Sequence, residues 1–227
     1  MTPAAARRPA ALADRLRSAI LEGSLPPGTH LRQAELAHQL GVSTTPLREA
    51  IGRLAHEGLV DLDEFKGARV HVLSADELDQ IYRVRLQVLP LSVAHSLPHA
   101  TPRSLKTAAA LLERMEPITR TSEWVVGNRE FHKVLDECAG RTIYSQIMVQ
   151  MADMAMLYIG SLFEHSADWT QEKAEHREIL AAYVARDEAA AVDLLTRHFE
   201  KTWKSASGNI TATGPADGTA DREEQSR

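Results

Sequence analysis

Residues 31–60 read LRQAELAHQLGVSTTPLREAIGRLAHEGLV, and the periodicity of this stretch decides the fold. Leu36 and Leu40 lie four apart, and Leu47, Ile51 and Leu54 follow at spacings of four and three, so each half carries one apolar stripe at the helical period. Gly41 between them suits the left-handed backbone that closes a first helix, and Val42 can plug the angle between the two. Ser43 suits the N-cap of the second helix. Pro46 is tolerated in its first turn, where backbone N–H groups have no intrahelical partner. The stretch is therefore expected to form a helix-turn-helix. Thr44, Thr45 and Arg48 are left outward at the start of the second helix: two hydroxyls suited to phosphate or base edges, and a guanidinium able to fork onto guanine. A recognition helix meets the major groove at this position.

Two amphipathic helices joined by glycine also occur in all-helical proteins that never touch DNA, so the flanks carry the decision. His56-Glu57-Gly58 ends the second helix, and the β-prone runs 59–62 and 68–72 surround Glu64-Phe65-Lys66-Gly67. A hairpin after a helix-turn-helix makes a winged helix, and Lys66 and Arg69 on the wing can reach phosphate. Upstream, apolar residues at 12, 16 and 20 mark a helix over residues 11–22, ended by Gly23. Leu25-Pro26-Pro27-Gly28 then turns the chain into the reader.

Within residues 12–72, the segments SLPPGTHL, AELAHQLGVSTTPLREAIGRLAHEGLV and GARV resemble the DNA-binding domain of the GntR family of bacterial transcription regulators. The family motif VS-x-TP-x-RE-A stands at residues 42–50. The resemblance implies a double-stranded DNA operator as partner, with contacts from Arg32, Ser43, Thr44, Thr45, Arg48, Lys66, Gly67 and Arg69. Thr44 stands where relatives commonly carry arginine, which implies an operator different from the common one.

Composition limits the alternatives. Of the 227 residues, 1–73 carry nine Lys and Arg against eight Asp and Glu, 74–204 carry fifteen against nineteen, and the remainder two against four. Non-specific attraction to DNA is therefore modest, and tight binding calls for a homodimer on two half-sites. A single cysteine, Cys138, excludes an intramolecular disulfide. No signal peptide or apolar run of membrane length appears, so a cytoplasmic protein without membrane contact is expected. The domain order reads as a disordered N-terminus (1–9), a winged helix-turn-helix (10–73), a helical domain (74–205) and a disordered, polar tail (206–227).

The helical domain announces itself at Ser74, an N-cap candidate with Glu77 three residues on, the spacing of a capping box. Six helices are expected, near 75–97, 102–116, 122–138, 141–164, 168–185 and 187–205. Their short connections favour an antiparallel bundle, making the protein mainly α. Pro90 should kink the first of them. Met148, Met151, Met154 and Met156 read as core or dimer contacts, and Trp124, Trp169 and Trp203 as packing at helix ends.

Ten histidines are present, three of them suggestively placed. Asn128 and His132 lie four apart on one helix, while His176 and His198 fall mid-way along the fifth and sixth bundle helices. Imidazole is a common ligand for divalent ions, yet a helical histidine is more often a hydrogen-bonded interior or surface residue, so spacing leaves both readings open. The segments IYRVRLQVL, NREFHKVLDECAG and EHREILAAYVARDEAAAVDLLTRH resemble the FCD effector domain of the FadR branch, and six bundle helices resemble its VanR-type subgroup. That resemblance implies a divalent metal held by His132, His176 and His198, with Asn128 where an aspartate is usual and Asp136 as an alternative oxygen donor. Zinc comes first, with nickel and manganese compatible. It also implies effector contacts from Arg85, which can fork onto a carboxylate, and from Arg141, where relatives often carry asparagine.

These readings converge on a transcription regulator, a homodimeric repressor released from a palindromic operator by a small organic acid. Two other readings are a metal-dependent enzyme using the histidines, and a constitutive DNA-binding protein without effector.

Overall fold

The computed structural model describes residues 8–162 and 169–213, with side chains described over 8–157 and 169–207. The chain opens with α1 (Pro9–Leu21), α2 (Gln33–Leu40) and α3 (Thr44–His56), followed by strands β1 (Val60–Asp63) and β2 (Gly67–Val70). Gly41 closes α2 in the left-handed region at φ 64°, and the Val42 N–H reaches back to the Ala37 carbonyl at 3.0 Å. This closure turns the chain so that Leu47, Ala50, Ile51 and Leu54 of α3 meet Leu12, Leu16 and Ile20 of α1 in one core.

β1 and β2 pair antiparallel, Val60 opposite Val70 and Asp63 opposite Gly67. At the tip, Asp63 Oδ1 accepts hydrogen bonds from the Phe65 and Lys66 N–H groups at 2.7 and 2.8 Å, a local turn bond typical of aspartate. The preceding segment straps onto β2, with the Leu31 N–H donating to the Ala68 carbonyl at 2.8 Å and the Val70 N–H to that of Thr29 at 2.9 Å.

The bundle comprises α4 (Ala75–Ser96), α5 (Pro102–Met115), α6 (Thr121–Asp136), α7 (Ile143–Leu162), α8 (Thr170–Ala185) and α9 (Glu188–Thr213), with short 3-10 turns at Leu97–His99 and Glu137–Ala139. The capping box forms: Ser74 Oγ accepts from the Glu77 N–H at 3.2 Å, and the Glu77 carboxylate from the Ser74 N–H at 2.8 Å. Helix α4 packs on α7 and α9, α5 on α6 and α8, and α8 on α9. Arg186, the C-cap of α8, takes a left-handed backbone at φ 58° and donates to the carbonyls of Leu97 and Ala100, tying the α8–α9 hairpin to the end of α4. Trp124 stacks on Trp169 at 4.9 Å between ring centroids, and Trp203 on Tyr82 at 6.0 Å.

Several expectations change. Helix α1 starts at Pro9, whose fixed φ suits a first helical position; residues 1–7 lie outside the described residues. The last helix runs to Thr213 instead of stopping at Ser205, which corrects the disordered tail for 206–213. Ala206 explains the extension, since it is fully buried against the bundle core. Residues 163–168, where the fourth and fifth bundle helices were expected to end and begin, and 214–227 lie outside the described residues. Among the described residues no helix is long and apolar enough to cross a membrane.

Candidate DNA interface and candidate metal centre

Gly41 aims the start of α3 outward, and Ser43, Thr44, Thr45 and Arg48 are all exposed there. Ser43 holds the extended backbone of an N-cap but makes no side-chain capping bond. Its hydroxyl and the first-turn N–H groups therefore remain available to a phosphate. Arg48 Nε donates to Gln33 Oε1 of α2 at 3.3 Å, which holds the guanidinium beside the helix start. A cleft of about 470 Å³ between the beginning of α2 and the wing gathers Arg32, Gln33, Lys66 and Gly67, together with His30. Arg69 lies on β2, about half-exposed and 3.8 Å from Asp61. The eight residues expected to meet DNA thus occupy the N-caps of α2 and α3, the start of α3 and the wing. Gln33 was not anticipated; its signal was its place one residue after Arg32, at the first position of α2.

In the bundle, α6, α8 and α9 bring His132, His176 and His198 together. Their ligating nitrogens all lie within 4.8 Å of one another, and the ring centroids are 4.9–5.1 Å apart. Each histidine is buried, His176 completely. Burial, reinforced by the neighbouring imidazoles, holds His132 and His176 well below the ordinary imidazole pKa, so both are neutral with lone pairs to offer. His132 Nε2 and both ring nitrogens of His176 have no hydrogen-bond partner among the described residues. A buried imidazole nitrogen left unpaired is costly; those of His132 and His176, converging with His198, fit a metal ion, which would take their lone pairs. Asn128, half-buried, lies one helical turn before His132. Asp136, one turn after it, does not join the convergence.

One group that sequence reasoning missed orients this cluster. Glu175, immediately before His176, accepts from His198 Nδ1 at 2.7 Å and from Lys201 Nζ at 3.0 Å. The His198 hydrogen bond, then that of Lys201, pull its carboxyl down to about 2. Its signal was the adjacency of Glu175 to one ligand candidate.

Arg85 is buried in the bundle, its guanidinium carbon 3.9 Å from the Phe199 ring centroid and 5.2 Å from that of Tyr82. Its Nε has no hydrogen-bond partner among the described residues, and burial lowers its pKa. Arg83 instead faces solvent, paired to Asp79 at 2.5 Å. Near Arg85, burial raises the Asp136 carboxyl to about 7, against the opposing pull of Arg85 and of a 3.2 Å hydrogen bond from Ser92 Oγ. Arg141 stands apart: its side chain is 80% exposed, 3.9 Å from Glu137, at a cleft between reader and bundle. The structure does not bring it together with Arg85.

Residues 10–70 match the bacterial regulatory proteins of the gntR family, and residues 80–201 match the FCD domain. The chain belongs to the GntR family. This GntR-family chain is 26% identical over 192 residues to the HTH-type transcriptional regulator YdhC of Bacillus subtilis, spanning 82% of this chain and 85% of YdhC. It is also 26% identical over 194 residues to the HTH-type transcriptional repressor GlaR of Escherichia coli, spanning 81% of this chain and 88% of GlaR. The solved structure of E. coli McbR/YncC superposes with a TM-score of 0.80 at 23% identity, covering 89% of this chain and 98% of that one. At that identity the match speaks for the fold alone. The GntR-family chain is thus a transcription regulator, mainly helical, with a winged helix-turn-helix and an FCD domain. The metal-dependent enzyme reading is overturned, since these relatives are regulators.

Proposed function

We propose that this GntR-family chain is a cytoplasmic, metal-dependent repressor that leaves its operator when a small organic acid binds in the bundle. Residues 10–73 act as its DNA reader and the bundle as its sensor. The observation that carries the reading is the convergence of three buried histidines, with ligating nitrogens within 4.8 Å of one another, two of which, His132 and His176, have nitrogens without a partner among the described residues. His132, His176 and His198 would hold one divalent ion, zinc first, with nickel and manganese compatible, and Asn128 would contribute its amide oxygen. The metal would supply a Lewis-acidic anchor for a carboxylate. Because asparagine brings no charge, the site keeps a more positive balance and favours an anionic ligand. Arg85, buried and with an Nε–H that has no partner among the described residues, fits a second grip on that anion. GlaR is named as a repressor, which favours repression over activation here.

Two readers are needed for a palindromic operator. A homodimer is favoured by an exposed apolar strip, Val84 and Leu91 on α4 and Ile143 on α7. These helices pack side by side, and His95 of α4 meets Tyr144 of α7 at 5.8 Å between ring centroids.

The test is operator binding by the zinc-loaded protein, on DNA selected in vitro with the wild-type chain, against a panel of small carboxylic acids. At least one acid should weaken binding about 5–150-fold in wild type and not in Arg85→Gln. Affinity unmoved by every acid and by zinc removal would favour constitutive DNA binding instead.

A further inference from the structure

Arg129 precedes His132 by three residues on α6 and reaches out of the bundle core to α7. It grips Asp153 with two guanidinium N–H groups, Nε to Oδ1 and Nη2 to Oδ2, the latter at 2.8 Å, while Nη1 donates to Glu130 at 2.5 Å. Asp153 Oδ2 also lies 3.6 Å from Arg17 Nε of α1. Arg17 in turn holds Glu57, the C-cap of the recognition helix α3, through bonds of 2.7–3.0 Å. Both arginines and Asp153 are largely buried, the carboxylate side chain only 5% exposed. One carboxylate is thus shared between a cation of the bundle and a cation of the reader.

The surrounding seam is apolar. Leu157 of α7 is buried in the reader's own core. A Cβ at Gly58 would meet Met154 Sδ at 2.8 Å, so the end of α3 rests directly on α7. Such contacts hold two bodies together without fixing their rotation, because apolar burial is non-directional. The fork of an arginine on a carboxylate does fix direction, and a buried charge that loses its partner is heavily penalised.

We infer that Asp153 is the positioning residue through which α6 sets the pose of the recognition helix, by way of Arg129, Asp153, Arg17 and Glu57. A shift of α6 at His132 carries Arg129 with it; Asp153 either follows, moving Arg17 and α3, or releases the reader. The ligand-sensing half of this route rests on the proposed reading of the histidine cluster.

Hydrogen–deuterium exchange on the full chain tests it, with wild type, Asp153→Asn and Arg17→Gln each measured with and without zinc. Without zinc, both variants should exchange about tenfold faster than wild type in segments 10–21 and 53–59, with 102–115 unchanged. With zinc, wild type should change its exchange in those two reader segments and Asp153→Asn should not. Unchanged reader rates in both variants, or acceleration spread evenly along the chain, would overturn the inference. So would a zinc response in Asp153→Asn equal to that of wild type. If zinc fails to protect the surroundings of His132, His176 and His198 in wild type, the histidine reading fails, while the zinc-free comparison still decides whether Asp153 positions the reader.

Discussion

Glu175 accepts a 2.7 Å hydrogen bond from His198 Nδ1, which places the ring proton on that nitrogen and leaves the Nε2 lone pair free. An acidic group behind an imidazole fixes its tautomer and orientation and raises its basicity. Glu175→Gln should therefore weaken zinc affinity about 10–100-fold with helical content retained, as read by competition against a chromophoric chelator. Affinity equal to wild type would separate Glu175 from metal binding.

On the DNA face, Arg48 is exposed and steadied by Gln33. Arg48→Ala should weaken operator binding by about 1–3 kcal/mol if the fork reads a base. Gln33→Ala should cost less, since it removes only the support. Fluorescence anisotropy at fixed salt measures both.

Gly58 combines a backbone φ of 79° with the close approach of Met154. Gly58→Ala meets both penalties and should lose on the order of 1–3 kcal/mol of stability. Met154→Ala in the same chain should recover the steric share and leave the backbone share. Urea denaturation of the two variants separates these contributions.

The metal-free protein should respond to pH with two opposed slopes. The folded-state pKa of His132 and of His176 lies below the ordinary 6.5. The unfolded chain therefore binds protons first, and stability falls as pH drops below about 6.5. Asp136 has the opposite sign. Its folded pKa of about 7 stands above the ordinary 3.8, so stability falls as pH rises between those values. Asp136→Asn should raise stability at pH 8 by roughly 1–3 kcal/mol and change it little near pH 4. Chemical denaturation across pH would show this crossing, and equal effects at both ends would contradict it.

The reader was legible because its signals are local. Gly41, Ser43, the 47–51–54 stripe and Gly58 each act within a few residues, and all fell where the sequence pointed. The six bundle helices were legible for the same reason, whereas the end of the last was missed because the burial of Ala206 depends on distant partners. His132, His176 and His198 could be listed from the family resemblance, but their convergence, the Glu175 support and the separation of Arg141 from Arg85 are products of helix packing. The ion-pair chain through Asp153 was invisible in sequence: Arg17, Glu57, Arg129 and Asp153 come from four elements and follow no spacing rule.

Metal content of the untagged protein, purified, exposed to zinc and desalted, tests the central claim most directly when wild type is set beside His176→Ala. The account predicts about one equivalent per chain in wild type and its loss in His176→Ala, with far-UV circular dichroism unchanged. Metal absent from wild type, or retained at the same stoichiometry in His176→Ala, would contradict it.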